Sequence, residues 1–235
     1  MQLFYNNLLD KNSKEILFDK IESKHIVRVL RKKENDILDI TNGNGLLFKA
    51  KITLANDKRC IAEIIQVEEK DKLWDYYLHI AIAPTKNNDR LEWFLEKATE
   101  IGIDEITPII CQNSERKIVK QERLEKIIQS AMKQSLKFTL PKLNEPIKFN
   151  DFIDQDFNGK TCIAHCEDDE KTLLKTIVNT KEKITILIGP EGDFSTQEIK
   201  KALSKNFTPI SLGESRLRTE TAGLVAVQTV AIINQ

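Results

Sequence analysis

The stretch ITILIGPEGDFS, residues 184–195, decides the fold. It begins with a run that is almost wholly apolar, which is typical of a strand covered on both faces in a parallel sheet. The run ends in a loop that contains two glycines and a proline. Ser195 and Glu198 then stand at the spacing of a capping box, which predicts the start of a helix. A buried strand, a glycine loop and a helix in this order indicate an α/β domain.

The same alternation of strand and helix continues on both sides of this stretch. Apolar runs predict further strands at 78–83, 106–110, 161–165 and 208–212. Helical spacing of apolar residues predicts helices at 89–101, 121–137, 171–179 and 219–234. Asp89 is the predicted N-cap of the first of these helices, and Gly102 is its predicted end. Because strands and helices alternate, the pattern predicts a mainly parallel sheet with flanking helices.

The first 70 residues have a different character, since they lack a long helical period. Short strand-like runs lie at 36–40, 46–52 and 60–67. The first two are joined by TNGNG, residues 41–45, which is a strong hairpin signal because Asn and Gly accept positive φ. The charge-dense stretch 66–75 is the predicted linker. We therefore predict a small β-rich domain over residues 1–70 and an α/β domain over residues 71–235.

Composition limits the classes of protein to be considered. The chain has 235 residues, of which 40% are hydrophobic and 31% charged, so it can bury a core. Basic and acidic residues number 36 each, so only local clusters, at 24–33 and 116–137, favour a polyanionic partner. The amino terminus lacks the features of a signal peptide, and the apolar stretch 223–233 is too short to cross a bilayer. The four cysteines have no disulfide-framework spacing, so we expect a cytoplasmic protein.

Two late strands are followed by glycine-bearing loops, residues 188–195 and 212–222. Ligands of open α/β sheets bind beyond the carboxyl ends of the strands, so these loops are a candidate site. The alternative is that both are ordinary strand-to-helix turns. Near the start of the last predicted helix, Thr219 suits an N-cap and Glu220 suits the positive helix end. Arg216 and Arg218 do not suit that end, which favours a functional role, and Arg218 is the preferred catalytic or phosphate-facing group.

Cys162, His165 and Cys166 raise the possibility of a metal site. On a strand the two cysteines face one way and the histidine the other, and no fourth ligand stands at zinc-like spacing. Core cysteines are therefore the preferred interpretation, and no metal is expected.

The two loops together carry a family resemblance. GPEGDFS (189–195) followed by SLGESRLRTETAG (211–223) resembles the paired carboxyl-terminal motifs of the ribosomal RNA small subunit methyltransferase E family, which are 16S rRNA (uracil-N3) methyltransferases of the SPOUT superfamily. Three further segments resemble motifs of this family in the same order, namely HIVRVLRKKENDIL (25–38), KNNDRLEWFLEKATEIGIDEITP (86–108) and AMKQSLKFTLP (131–141).

The chain departs from the family pattern at a few positions. Asn35, Asn87 and Asp193 stand where a glycine is usual. Leu136 and Lys137 stand where a small residue and an arginine are usual, and Arg216 stands where an aliphatic residue is usual.

The resemblance implies a SPOUT domain with a trefoil knot at its carboxyl end, preceded by a PUA-like β-barrel that binds RNA. It implies S-adenosyl-L-methionine as cofactor, a homodimer, and 16S rRNA of the small ribosomal subunit as partner. The implied cofactor-binding residues are Leu187, Ile188, Gly189, Pro190, Glu191, Gly192, Leu212, Gly213, Leu217, Thr219, Thr221 and Ala222. The expected RNA-binding residues are Lys24, His25, Arg28, Arg31, Lys86, Arg90, Lys133 and Lys137.

The implied reaction moves a methyl group from a sulfonium to N3 of uracil, whose imide proton must leave. Arg218 is too basic to accept that proton, so we expect it to stabilise the developing uracilate or to hold a phosphate. The acceptor is Glu220, a water molecule or no fixed group, and the sequence leaves these open. Two other interpretations also stay open: a SPOUT methyltransferase acting on another RNA or on a ribose hydroxyl, and a non-catalytic RNA-binding protein of the same fold.

Overall fold

The computed structural model describes residues 2–168 and 170–235 and divides the chain into two compact units. The first unit comprises Met1–Leu73 and Met132–Leu140, and the second comprises Trp74–Ala131 and Pro141–Gln235. The sequence predicted a single boundary at residue 70, with all of 71–235 in the second domain. The structure differs because one internal segment packs with the first unit.

Backbone hydrogen bonds explain the position of that segment. The Gly45 N–H donates to the Phe138 carbonyl at 2.9 Å, and the Leu140 N–H donates to the Gly43 carbonyl at 2.8 Å. The side-chain hydroxyl of Thr41 also donates to Phe138 O at 3.3 Å. Because these partners lie far apart along the chain, local sequence patterns cannot indicate their pairing.

The first unit is a mostly antiparallel sheet around its own core. Within the described residues, five strands follow the order β1-β3-β4-β5-β2, and β1 pairs with β3 in parallel. Register shifts in β4 give the sheet local bulges, which increase its twist. The elements are β1 (Leu3–Tyr5), β2 (Glu15–Leu17), α1 (Lys20–Lys24), a π-helical turn (His25–Val29), β3 (Ile37–Thr41), β4 (Leu46–Leu54) and β5 (Ile61–Glu69).

The predicted hairpin between β3 and β4 is confirmed. Gly43 and Gly45 have φ values of 75° and 81°, which only glycine adopts without strain. The Asn42 side chain accepts hydrogen bonds from the backbone N–H groups of Asn44 and Leu46, and this fixes the turn. Strand β5 extends to Glu69, so the linker begins later than the predicted residue 66.

The second unit is built on a parallel sheet, as the sequence predicted. Its described strands follow the order β11-β13-β10-β12-β6-β7-β8, with β9 also pairing with β7, and every pairing is parallel. The elements are β6 (Tyr77–Ile82), α2 (Asn88–Ile101), β7 (Glu105–Ile110), α3 (Gln121–Gln134), β8 (Lys142–Leu143), β9 (Ile147–Lys148), α4 (Phe149–Ile153), β10 (Lys160–Ala164), β11 (Thr172–Leu173), α5 (Leu174–Ile177), β12 (Lys183–Ile188), α6 (Thr196–Ser204), β13 (Thr208–Ser211) and α7 (Thr219–Ile233).

Three local predictions about this unit were wrong. The N-cap of α2 is Asn87, whose side chain accepts from the Asp89 N–H, rather than Asp89 itself. The predicted helix 171–179 is a two-residue strand followed by one helical turn. Strand β10 ends at Ala164, so the residues after it belong to a loop. The capping box of α6 is present as predicted.

The strand β12 lies in the middle of the sheet, between β10 and β6, and its apolar residues are buried. The helices α2 and α7 pack together. Their approach is close at Gly223, where an added Cβ would lie 2.7 Å from the Phe94 ring. Among the described residues, no helix is both long enough and apolar enough to cross a membrane.

Candidate active site

Two adjoining cavities lie at the carboxyl edge of the parallel sheet, where the loops after β10, β12 and β13 meet. Their volumes are about 300 Å³ and about 680 Å³, within the range of small-molecule sites. The residues shared by both cavities are Ala164, Cys166, Asp193, Arg216, Leu217 and Ala222. The two predicted loops therefore form a site, and the loop after β10 joins them.

Thr219 connects the loop that precedes α7 to the end of β12. Its hydroxyl donates to the Gly189 carbonyl at 3.0 Å, and the residue is 5% exposed. The sequence suggested that Thr219 is the N-cap of the last helix, but the cap residue is Arg218, which makes no side-chain capping bond. Because a buried carbonyl needs a donor, this bond holds the two loops at a fixed distance.

The loop after β12 is held from several directions. The Asp193 N–H donates to the Pro190 carbonyl at 2.9 Å, which closes a turn. The Asn113 side chain donates to the carbonyls of Gly192 and Asp193 at 3.2 and 3.1 Å. Glu191 accepts from the Lys86 N–H through Oε1 at 2.9 Å, while its Oε2 is buried without a hydrogen-bond partner. Glu191 also lines the smaller cavity.

Cys166 is exposed and lines both cavities, so the prediction that it is a core cysteine was wrong, whereas Cys162 is buried. The error came from treating Cys166 as part of the strand, which ends at Ala164. Burial and the neighbouring Asp193 raise the pKa of the Cys166 thiol, while Arg216 and Lys171 act in the opposite direction. In the part of the chain that the structure describes, no group of acidic, histidine or cysteine residues is arranged to hold a metal ion.

Ten of the expected cofactor-binding residues line the two cavities. Leu187 and Thr221 line neither, and Leu187 belongs to the apolar core of the sheet. The smaller cavity is lined by Ile188, Gly189, Pro190, Glu191, Leu217, Thr219 and Ala222. The larger cavity is lined by Gly192, Leu212, Gly213, Leu217 and Ala222. Sequence reasoning missed the loop 165–168 and the side chain of Asp193, because neither follows from strand or helix periodicity.

The two catalytic candidates have different environments. Arg218 is exposed, lines the smaller cavity, and within the described residues its guanidinium has no ion pair or hydrogen bond. Glu220 is 7% exposed and lines neither cavity. Its Oε1 lies 3.8 Å from Nε of Arg90, and its Oε2 has no hydrogen-bond partner. This position argues against Glu220 as the proton acceptor.

The predicted RNA-binding cations fall into two groups. Lys24 and Arg31 are exposed and have no ion pair among the described residues. The others, apart from Lys137, face carboxylates: Arg28 pairs with Asp57, His25 and Lys133 face Glu22, Lys86 pairs with Glu115, and Arg90 faces Glu220.

Lys137 is 7% exposed. A buried side chain cannot contact a phosphate directly, so the burial argues against the RNA contact predicted for this residue.

The comparison with protein-family models matches both units. Residues 72–231 match an RNA methyltransferase domain, and residues 18–65 match an RNA methyltransferase PUA domain. A ribosomal RNA small subunit methyltransferase E from Rickettsia conorii is 31% identical over 236 residues, covering 99% of this chain and 95% of the relative.

The chain belongs to the ribosomal RNA small subunit methyltransferase E family. Among solved structures, a protein described as a probable rRNA-methyltransferase from Porphyromonas gingivalis is 42% identical, with a TM-score of 0.92 over 100% of this chain and 98% of that one. A family member from Neisseria gonorrhoeae, solved with bound S-adenosyl methionine, is 27% identical, with a TM-score of 0.87 over 99% and 98% of the two chains. These matches confirm the family and the fold class, a parallel α/β domain preceded by a PUA-like domain.

Proposed function

We propose that this chain is an S-adenosyl-L-methionine-dependent methyltransferase that methylates N3 of a uridine in 16S rRNA of the small ribosomal subunit. The observation that carries the proposal is the cavity at the carboxyl edge of the sheet, with the unpaired guanidinium of Arg218 at its wall. The family membership supports the substrate class, and the solved relative with bound S-adenosyl methionine supports the cofactor.

The cavity residues fit this cofactor. Ile188, Leu217 and Ala222 offer an apolar surface to a flat adenosine, and the buried Oε2 of Glu191 is an acceptor without a donor. When bound, S-adenosylmethionine supplies a methyl group on a positively charged sulfur. The chain itself contributes a site of fixed shape, since Thr219 and Asn113 hold the loop after β12 on two sides.

Arg218 supplies the charge that the reaction needs. Loss of the N3 proton leaves negative charge on the uracil, and a fixed guanidinium stabilises that charge without reorganising. Because no described residue forms an ion pair with Arg218, its guanidinium is available for this role. Because Glu220 lines neither cavity and its Oε1 lies 3.8 Å from Nε of Arg90, we assign the proton to water or to no fixed group.

The backbone path at the site supports the proposed knot. The chain passes from β12 through α6 to β13, which lies on the far side of β10. The segment after β13 then returns to the end of β12, where Thr219 binds Gly189. This return past the β10 loop is the path that a trefoil crossing requires.

The homodimer also belongs to the proposal. We place its interface on α2 and α7, which pack together. These helices expose Trp93 and Ile232, whose exposed fractions are 41% and 57%. Exposed large apolar side chains on adjoining helices are suited to association. Light scattering coupled to gel filtration tests it.

Product mapping tests the proposed function. Small subunits and free 16S rRNA from a strain without the family enzyme are incubated with the protein and labelled S-adenosylmethionine. We expect 3-methyluridine at one position, detected by nucleoside mass spectrometry. A methylated ribose or a different base would identify another substrate. Calorimetric titration that shows no cofactor binding would instead support a non-catalytic RNA-binding protein.

A further inference from the structure

Two side chains of opposite charge meet where the two cavities join. Asp193 and Arg216 each line both the smaller and the larger cavity. Asp193 raises the pKa of the Cys166 thiol and Arg216 lowers it, so both side chains lie near that thiol. Among the described residues no ion pair within 4.0 Å joins the two, so each charge remains open to a ligand. They are also two of the positions at which the sequence departs from the family pattern.

Asp193 is held in a fixed orientation. Its Oδ2 accepts from the Cys166 N–H at 2.7 Å, and its Oδ1 accepts from the Phe194 N–H at 2.8 Å. Its φ of 61° is stabilised by the turn that its own N–H closes on Pro190. A carboxylate has about four lone-pair sites, so the two N–H donors and the Cys166 thiol leave capacity for a further donor.

Arg216 has the complementary character. It is exposed at the cavity wall, and no described residue gives it an ion pair or hydrogen bond. A guanidinium binds carboxylates through two parallel hydrogen bonds, so an unpaired Arg216 is suited to a carboxylate ligand.

We propose that Asp193 and Arg216 bind the amino-acid end of the methyl donor, with Asp193 on its α-ammonium and Arg216 on its α-carboxylate. The inference rests on the proposed function, because it assumes that this cavity holds the donor. A fixed anion and an unpaired cation that line the same two cavities match a ligand that carries both opposite charges on one carbon. The apolar residues and Glu191 are then left for the nucleoside.

Three nucleoside ligands separate the two contacts. S-adenosylhomocysteine carries both charges, its decarboxylated analogue carries only the ammonium, and methylthioadenosine carries neither. Calorimetric titration of the full chain with each ligand gives the dissociation constants. We compare the wild type with Arg216→Gln and Asp193→Asn, since asparagine also tolerates positive φ. Arg59→Gln is the matched control, because Arg59 is an exposed arginine that lines neither cavity.

Arg216→Gln is expected to raise the dissociation constant of S-adenosylhomocysteine about tenfold, since one charge-assisted contact is lost. The dissociation constant of the decarboxylated analogue is expected to stay unchanged. Asp193→Asn is expected to weaken both of these ligands and to leave methylthioadenosine unchanged. Unchanged methylthioadenosine binding also shows that each variant is folded. If Arg216→Gln leaves the ratio of the dissociation constants of S-adenosylhomocysteine and its decarboxylated analogue as in the wild type, the inference is overturned, even if RNA binding falls. If the wild type binds none of the three, the proposed function itself fails.

Discussion

Arg218 is the residue that the proposed chemistry needs most. It lies at the start of α7, where the helix end is positive and a cation gains nothing from its surroundings. We propose that a ligand with developing negative charge accounts for the position of Arg218. The sequence already indicated that Arg218 is unfavourably placed, because it showed an arginine directly before the start of a predicted helix.

Replacing Arg218 by alanine tests this role. Turnover is expected to fall about 10²–10³-fold, the usual loss for one preorganised electrostatic contact. The affinity for S-adenosylhomocysteine is expected to stay within twofold, because the proposed role of the guanidinium is to stabilise the nucleobase and not to bind the cofactor. Single-turnover methylation and calorimetry measure the two quantities. Full activity of the variant would show that the assigned role is wrong.

Thr219 makes the second prediction at this scale. Thr219→Val keeps the shape of the side chain and leaves the Gly189 carbonyl without its donor, so the free energy of unfolding is expected to fall by about 1–3 kcal/mol. Cofactor affinity is expected to fall as well, since the loop loses its attachment. Urea denaturation measures the first effect. Thr229→Val is the control, because the Thr229 hydroxyl bonds only within its own helix, to Val225. Equal effects of the two changes would contradict a special role for Thr219.

The departures from the family pattern also have a physical reading. Asn35, Leu136 and Asp193 all have positive φ, at 73°, 54° and 61°. A glycine or small residue usual at these positions suits that conformation, and Asn or Asp tolerates it through short polar side chains. Asn35 and Asp193 are therefore compatible with the positive φ that this chain has at those two positions. No alternation of apolar residues could have indicated that Asp193 also reaches the cavity.

At the scale of elements, the packing of α7 on α2 determines where the loop before α7 can lie. Gly223 lies against the Phe94 ring, at a distance that leaves no room for a methyl group. The sequence predicted both helices from their apolar spacing. It did not predict this close approach, because the sequence alone does not distinguish a glycine required by packing from a glycine that a helix merely tolerates.

Gly223→Ala is expected to destabilise the protein despite the better helix propensity of alanine. The gain in propensity is about 1 kcal/mol, and the cost of overpacking is about 1–3 kcal/mol. An added Cβ would lie 2.7 Å from Phe94 and 3.0 Å from Ile82, so we expect an overpacking cost near the upper end of that range. Denaturant titration of the single variant and of Gly223→Ala/Phe94→Leu tests the cause. If the second change restores no stability, the clash is not with Phe94.

The turn that follows the π-helical turn is a second element with a testable role. Arg31, Lys32 and Lys33 line one shallow surface cavity of the first unit, and no described ion pair neutralises them. Arg28, on the π-helical turn itself, is paired with Asp57. We therefore expect RNA phosphates to contact the turn rather than Arg28.

Salt dependence of RNA binding distinguishes these cations. Replacing Arg31, Lys32 and Lys33 together by alanine is expected to reduce the slope of log K against log salt by about 2, since each lost phosphate contact removes about 0.7–0.9. Arg28→Ala is expected to change the slope by less than about 0.5. Filter binding of the target RNA over a range of salt concentrations measures both. Equal slopes for the triple variant and the wild type would place the contacts elsewhere.

At the scale of the whole molecule, a buried polar network affects stability. Burial lowers the pKa of His79 to about 4, and its Nε2 lies 2.7 Å from the Thr107 hydroxyl. Burial acts to raise the pKa of Glu105, but hydrogen bonds from Tyr77 and Asn144 lower it to about 2. Both groups therefore hold fewer protons in the folded state than in the unfolded chain.

Acid is expected to destabilise the protein in two stages. As pH falls from about 6.5 to about 4, the unfolded chain protonates His79 before the folded one does, and the free energy of unfolding falls by up to about 3 kcal/mol. Below about 4.5 the same argument applies to Glu105 down to about pH 2. Urea denaturation at several pH values measures the slope. His79→Gln is expected to flatten the upper stage, and an unchanged slope would assign it to other groups.

The overall architecture was predictable from sequence to the extent that it depends on periodicity. The long strands and helices of the second unit, and the hairpin of the first, follow from apolar spacing and turn residues. The two-residue strands β8, β9 and β11 are too short to have a period. The membership of Met132–Leu140 in the first unit depends on backbone bonds to Gly43 and Gly45, which no local pattern encodes.

That membership has a consequence for synthesis on the ribosome. The amino-terminal unit, Met1–Leu73, lacks one of its own parts until residue 140 has been translated. At about 5–20 residues per second, the 67 residues between positions 73 and 140 take roughly 3–13 s. During that interval the nascent hairpin presents the Gly43 carbonyl and the Gly45 amide without their final partners. The first unit is therefore completed only after the ribosome has also made Trp74–Ala131, which belongs to the second unit.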